Sequence, residues 1–300
     1  MSVLVVGSTA FDDVETPFGK REACLGGSST YTALAAALFT DVNLVSVVGK
    51  DFPDEHLQMF QDRGISTAGI EVVPDGKTFR WSGKYSADMN QRDTLDVQLN
   101  VLGDFNPKVP ESYKDSRFLF LANGAPATQL SVVEQCPKAE FIVADTMNLW
   151  IDTAREDLDN LLQKIDGLIV NDEEVRMLTG ESNLILAGRK LLTQGPRLVI
   201  VKKGEHGAFL FSNFFQFALP AYPTGDVVDP TGAGDSFAGG FMGFLATCNT
   251  ISLGNMKRAI AYGTVTASLT VEGFSVDNIM DAKRETIEAR YHELIQFVSL

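Results

Sequence analysis

The sequence predicts an α/β fold: a doubly wound, mostly parallel sheet flanked by helices, carrying a small antiparallel β lid. Three observations predict it. Short runs rich in β-branched and aromatic residues are apolar throughout, as strands covered on both faces must be. Longer stretches of helical periodicity separate them, which implies right-handed β–α–β crossovers. Two segments near the start break this rhythm with apolar–polar alternation and turn residues, the pattern of hairpins with one wet face.

Along the chain, Val3–Val6 opens as a strand ended by Gly7, without the basic stretch or cleavage site of a signal segment. Further buried strands are expected at Val42–Val48, Phe118–Leu121, Phe141–Ala144, Gly167–Val170 and Leu198–Val201. Helices are expected at Ser29–Phe39, Asp54–Arg63, Thr153–Lys164, Glu173–Leu178, Leu184–Leu192, Gly234–Cys248, Asn255–Thr270 and Asp277–Leu300. The two excursions of extended chain, about 11–23 and 69–102, would pair into a lid above the C-terminal edge of the sheet. No Pro/Gly/Ser-rich linker and no internal repeat interrupts the 300 residues, so one domain spanning 1–300 is expected.

Composition narrows the function. With 45% hydrophobic and 21% charged residues, the chain has enough apolar material for a packed core, which argues against disorder. Its formal net charge of -14 would repel phosphate backbones and anionic lipid, so nucleic-acid and membrane-surface roles are disfavoured. A local nest of backbone N–H groups can still hold phosphate inside an acidic protein. Cys24, Cys136 and Cys248, like His56, His206 and His292, are scattered without metal-ligand spacing. No apolar run is long enough to span a bilayer, and a cytoplasmic protein is expected.

The chemistry concentrates in Asp229-Pro230-Thr231-Gly232-Ala233-Gly234-Asp235-Ser236-Phe237-Ala238-Gly239-Gly240-Phe241. A glycine-rich turn runs straight into a helix there. The unsatisfied N–H groups and positive dipole end of that helix can wrap an anion, with no side chain larger than methyl in the way. Asp235 follows in the first turn. A carboxylate beside an anion site has an electrostatic cost unless it accepts a proton from a nucleophile attacking that anion. A simple N-terminal cap is the plainer alternative for an isolated aspartate.

That thirteen-residue string resembles the second signature of the PfkB, or ribokinase-like, carbohydrate kinases, D-T-x-G-A-G-D before a small-residue helix, with Pro230 in the second place. The resemblance implies an ATP-dependent kinase acting on a hydroxyl of a small sugar or sugar-like substrate. It implies Asp235 as catalytic base and Gly232, Ala233 and Gly234 as the anion hole. Other segments agree. Val5-Val6-Gly7-Ser8 with Asp12 resembles the opening strand and its substrate aspartate, Asp13 being equally eligible by position. Gly26-Gly27 before a helix resembles the first signature, where substrate lies against backbone. Asn171-Asp172-Glu173-Glu174 looks like the N-x-x-E motif and implies that Asn171 and Glu174 organise Mg²⁺ through its waters; a solvated acidic helix start is the alternative. Val201-Lys202-Lys203-Gly204-Glu205-His206-Gly207 resembles the nucleotide loop, with Lys202 or Lys203 meeting ATP phosphates and Gly204 and Gly207 making the bend. Tyr262 and Gly263 fall where such kinases close over adenine, although an aromatic on a helix is more often core. Asp229 falls where many members hold a monovalent cation, for which K⁺ is the candidate.

The pattern also departs from ribokinase. Tyr31 stands where an asparagine contacts sugar, which puts ribose and fructose in doubt as substrates. Arg80-Trp81-Ser82-Gly83-Lys84-Tyr85 and Asn90-Gln91-Arg92 are polar and aromatic enough to reach into the pocket, where Asn123 would face them; a solvated hairpin or a homodimer contact through the lid is the equal alternative. A nucleoside or cyclitol kinase on the same scaffold is the nearest alternative, since the aromatic lid could stack a base. A silent metabolite-binding regulator would be expected to have lost Asp235 or the small residues beside it. A nicotinamide oxidoreductase would need the glycine fingerprint that Gly7-Ser8-Thr9-Ala10-Phe11 lacks.

Overall fold

The structure, a computed structural model, describes residues 2–299. In chain order the strands are β1 (Val3–Val6), β2 (Ala10–Thr16), β3 (Gly19–Gly26), β4 (Val42–Gly49), β5 (Ile65–Val73), β6 (Phe79–Tyr85), β7 (Arg92–Gln98), β8 (Phe118–Leu121), β9 (Phe141–Asp145), β10 (Gly167–Asn171), β11 (Leu198–Lys202), β12 (Ala208–Ser212) and β13 (Gln216–Leu219). The helices are α1 (Ser28–Ala37), α2 (Asp54–Asp62), α3 (Pro126–Gln135), α4 (Asn148–Thr153), α5 (Arg155–Leu162), α6 (Asp172–Thr179), α7 (Leu184–Leu192), α8 (Ala233–Ala246), α9 (Leu253–Val271), α10 (Asp277–Asp281) and α11 (Arg284–Val298).

Nine strands form one sheet in the order β13-β12-β11-β10-β9-β8-β1-β4-β5, parallel from β11 to β5 with an antiparallel pair at the other edge. Alternate residues of each strand enter opposite cores, as the two-residue period requires. Val3 and Val5 of β1 join Phe118, Phe120 and residues of α1, α8 and α9 on one side. Leu4 and Val6 join Leu119, Leu121 and residues of α3, α5, α6 and α7 on the other. From β1 the chain proceeds one way through β4 and β5, then returns to build outward through β8 to β11. The C-terminal ends of β1 and β8 therefore flank a topological switch point, the place where open α/β sheets bind ligands.

The small residues of α8 serve packing as well as chemistry. A Cβ on Gly239 would come within 2.3 Å of the Thr32 carbonyl oxygen in α1, and one on Gly240 within 2.7 Å of Thr266 Oγ1 in α9. Larger residues would force these helices apart and move the start of α8.

A second sheet, β3-β2-β6-β7, stands at the C-terminal edge of the first. Its two hairpins are antiparallel, as expected, but β2 and β6 meet in parallel. The hairpin segment expected from Gly69 needs correction at its start: Gly69–Val73 belongs to β5, the parallel edge strand of the main sheet. A partly covered edge strand lacks the continuous apolar run of a central parallel strand and so resembles a hairpin strand in sequence. The helix expected over Asp277–Leu300 is interrupted at Ala282 and Lys283, both extended; Leu300 lies outside the described residues. No helix among the described residues is long and apolar enough to cross a membrane.

Candidate active site

The loop before α8 is braced at both ends. Asp229, 1% exposed, accepts from the Thr231 N–H at 2.9 Å through Oδ1 and from the Ser275 N–H at 3.2 Å through Oδ2. Gly232 caps the helix at φ 75°, a left-handed conformation natural to glycine, and a Cβ there would lie 2.4 Å from the Tyr31 ring. No side chain caps the helix, and no acceptor among the described residues takes the N–H groups of Gly234 and Asp235. Two donors and the dipole end thus point at one spot, as the anion-hole reading of Gly232, Ala233 and Gly234 requires.

Lys202, the last residue of β11, brings a third donor. Its Nζ is so close that a Cβ on Gly234 would lie 2.8 Å from it, and it pairs with Asp145 Oδ2 at 3.4 Å. Burial weakens its charge, but Asp145, Glu174 and Asp235 outweigh that and hold its pKa above the usual lysine value. Strand alternation sends Lys203 elsewhere, its ammonium 3.8 Å from the Phe209 ring centroid. Of the two lysines, Lys202 alone faces the helix start. Gly204 and Gly207 take positive φ values of 54° and 82° and turn the chain back into β12.

Asp145 was not singled out by sequence reasoning. It is the one charge in the apolar run Phe141–Asp145, at the C-terminal end of a central strand, and that position is the signal that could have found it. It is 5% exposed, with Oδ1 held by the Thr146 N–H.

Asn171 and Glu174 form a reciprocal capping box: Asn171 Oδ1 accepts from the Glu174 N–H at 2.8 Å, and Glu174 Oε2 from the Asn171 N–H at 2.7 Å. Glu174 Oε1 receives no hydrogen bond among the described residues. Burial first, then the Asp145 charge, push the Glu174 carboxyl up, and Lys202 opposes them. The same forces push up Asp235, whose Asp12 neighbour adds to the repulsion.

On the other side of the cleft, Asp12 is 4% exposed beneath Gly26, where a Cβ would fall 2.0 Å from Asp12 Oδ2. Burial pushes its pKa to about 7 against the stabilising Gly27 N–H. Gly27 itself, at φ 93°, starts α1 with its Cα against the Ser8 carbonyl, where a Cβ would come within 2.4 Å. Asp13 points away and accepts from the Ala23 N–H at 2.6 Å.

Four residues expected to contact ligands are engaged elsewhere. Tyr31 is 1% exposed with its ring flat behind Gly232, so it props the anion loop rather than lining an open sugar pocket; its hydroxyl has no hydrogen-bond partner among the described residues. Tyr262 is sandwiched between Phe244 and Tyr291, each 4.4 Å away, so neither face can stack adenine. Gly263 lets α9 approach α8, a Cβ there meeting the Phe237 carbonyl at 2.7 Å. Asn123 does stand at the end of β8, but its amide is engaged by Trp150 Nε1 at 3.0 Å and Met147 Sδ at 3.2 Å.

The family model described as pfkB family carbohydrate kinase matches residues 22–283. A cytidine kinase of Thermococcus kodakarensis is 29% identical over 249 residues, 81% of this chain and 87% of the relative. Among solved structures, an Escherichia coli protein assigned as ribokinase II, in complex with ATP and Mg²⁺, superposes with a TM-score of 0.82 at 21% identity over 97% of this chain and 99% of that one. A Burkholderia thailandensis nucleoside kinase in complex with inosine does so with a TM-score of 0.82 at 19% identity over 98% and 99%. These two structures share the fold. The family match takes in Gly26-Gly27, the capping box, Lys202 and the start of α8 together, and the chain belongs to the pfkB family of carbohydrate kinases.

Proposed function

We propose that the chain moves the γ-phosphoryl group of ATP to a hydroxyl of a small sugar-bearing substrate, with a nucleoside as the favoured class. The carrying observation is the pairing of a free-donor helix start with two carboxylates, half-buried Asp235 beside the donors and buried Asp12 across the cleft. Asp12 would accept two substrate hydroxyls, an arrangement suited to a vicinal diol. Asp235 would take the proton of the attacking hydroxyl, and its raised pKa makes it a strong acceptor. The N–H groups of Gly234 and Asp235 and the Lys202 ammonium would hold the oxygens of the transferring group.

The nucleoside preference rests on the second sheet. Asp12 and Trp81 are register partners in β2 and β6, so both side chains occupy the inner face of the lid. An indole beside a diol-binding carboxylate fits a heterocyclic base joined to a pentose. The 29% identical cytidine kinase supports the same class.

Mg²⁺ fits the acidic side of the cleft. Asp145 and Glu174 stand with Lys202 as their common cation, and the unengaged Glu174 Oε1 can order a metal-bound water. The metal would supply charge neutralisation for the phosphates. No group of three carboxylates among the described residues offers direct ligation, which suits a hydrated ion. For K⁺, Asp229 already engages both oxygens with backbone N–H groups, so in this reading it braces the loop first; rates in KCl against NaCl test the cation. A homodimer through the lid belongs to the same reading, because β7 is a free edge bearing exposed Leu95. Sedimentation tests it.

ADP release with MgATP against a panel of nucleosides, pentoses, hexoses and cyclitols tests the function. Phosphorylated nucleoside, identified by mass, supports it; turnover of hexoses or cyclitols alone removes the nucleoside preference. No transfer to any alcohol removes the reading.

A further inference from the structure

The lid carries a cation that the chemistry described so far leaves unused. Its inner face runs from Asp12 and Trp81 to Tyr85, whose register partner across the β6–β7 pair is Arg92. The Arg92 guanidinium lies 5.0 Å from the Trp81 ring centroid. Two contacts hold this end of the hairpin across the cleft. Thr231 Oγ1, in the loop before α8, donates to the Tyr85 hydroxyl at 3.2 Å. Asn90 Nδ2 donates to Glu205 Oε1 at 3.3 Å, in the loop after β11. Arg92 faces Tyr85 across the strand pair and follows Asn90 by two residues, so it is bracketed by both anchors. No carboxylate among the described residues lies within 4.0 Å of it.

The charge balance of the cleft shows what such a cation is for. Asp12, Asp145, Glu174, Asp229 and Asp235 converge there, and Lys202 is the cation contributed by the main sheet. A γ-phosphoryl group adds further negative charge, spread over three oxygens in a loose transition state. Arg92 bears on both carboxylates that flank the reaction, since its charge lowers the pKa of Asp12 and of Asp235. A planar fork of N–H donors also suits phosphoryl oxygens better than an ammonium does.

We infer that Arg92 is a catalytic residue delivered by the lid, its guanidinium binding the non-bridging oxygens of the transferring phosphoryl group opposite Lys202 and the start of α8. This rests on the kinase reading above. In the step, the substrate O–H bond breaks and its proton passes to Asp235 while the new O–P bond forms. The bond from phosphorus to the β,γ-bridging oxygen breaks, and ADP leaves with the electron pair. Arg92 changes no bond; it offsets charge on the oxygens in flight. Because it arrives only with the hairpin across the cleft, the site is complete only when covered, which limits transfer to water.

Arg92→Gln and Arg92→Lys, beside Asp235→Asn, test the inference. Arg92 is exposed at the start of an edge strand, so unchanged circular dichroism and thermal midpoints are expected. Arg92→Gln should lower kcat by about 10²–10³-fold with the alcohol KM within about 3-fold of wild type, the usual worth of one preorganised donor. Arg92→Lys should recover part of that loss. Affinity for ADP with aluminium fluoride and the alcohol should fall by a similar factor, and affinity for ADP alone should not change. A raised KM at unchanged kcat would assign Arg92 to the alcohol and overturn the inference, as would normal kinetics. Wild-type transfer with an inactive Asp235→Asn and a normal Arg92→Gln removes this inference alone. A wild type that phosphorylates no alcohol removes the functional reading and this inference together.

Discussion

Asp12→Asn should separate stability from function in a pH-dependent way. Burial raises the Asp12 carboxyl from its ordinary 3.8 to about 7. With the folded pKa raised, the native state keeps its proton while the unfolded chain releases one. The stability contribution is therefore complete below about pH 4, declines as pH rises toward 7, and is flat above that. At about 1.36 kcal/mol per unit, the interval from pH 5 to 7 has a ceiling of roughly 3 kcal/mol. Local relaxation and water entry reduce this to about 1–3 kcal/mol. Asparagine keeps an acceptor for the Gly27 N–H and cannot ionise, so it removes the slope. In urea titrations of the ligand-free protein, the unfolding free energy of Asp12→Asn relative to wild type should grow by that amount between pH 5 and 7. Meanwhile kcat/KM for the alcohol should fall by about 10–100-fold for each charge-assisted bond lost, at 1.5–3 kcal/mol per bond. Asp13→Asn, which keeps an acceptor for the Ala23 N–H, should show neither effect. A stability difference independent of pH, or equal kinetic losses at both positions, would refute the reasoning.

Asp235→Asn should reduce turnover by about 10²–10⁴-fold while ATP affinity stays close to wild type, read by steady-state kinetics and by nucleotide titration. Because burial and Asp145 raise the Asp235 pKa, the acid limb of the wild-type kcat/KM profile should lie near neutrality, with activity rising as pH increases through it. Gly234→Ala should fold normally, gaining up to about 1 kcal/mol of helix propensity. Its methyl group would displace the Lys202 ammonium and lower turnover by about 10-fold or more, so unaltered activity would move the phosphate site elsewhere. Glu174→Gln should raise the Mg²⁺ concentration for half-maximal rate, and an unchanged Mg²⁺ profile would leave the residue as a helix cap alone.

The main sheet was legible because its strands are buried on both faces, and continuous apolar runs such as Phe118–Leu121 have few other structural outlets. Where burial is one-sided the signal degrades. Ile65–Val73 is only partly covered along its length, and such mixed burial says nothing about whether the partner strand is parallel. Asp277–Val298 keeps helical spacing through Lys283, so the break at Ala282 depends on tertiary docking rather than on local sequence.

Within the site, legibility followed the source of each constraint. Gly232 and Gly27 are required by backbone geometry that almost no other residue adopts, so their positions survive as motif. Tyr31 and Tyr262 are the converse: an aromatic at the right sequence position can fill the core or face a ligand, and only the packed neighbours distinguish the two. Asp145 and Arg92 show a further limit. One ends a central strand and the other belongs to a polar lid segment that could reach the pocket or stay solvated, so local sequence leaves both roles open. Both gain meaning from charge balance, which is a property of the assembled cleft. A cleft with five carboxylates and one half-buried lysine is a poor environment for a phosphate, unless cations come from outside the main sheet. Bound metal can enter from solvent, and a guanidinium can enter on the lid. A cleft left short of positive charge until both arrive is inactive when open, and its electrostatics, rather than its shape alone, then couple closure to transfer.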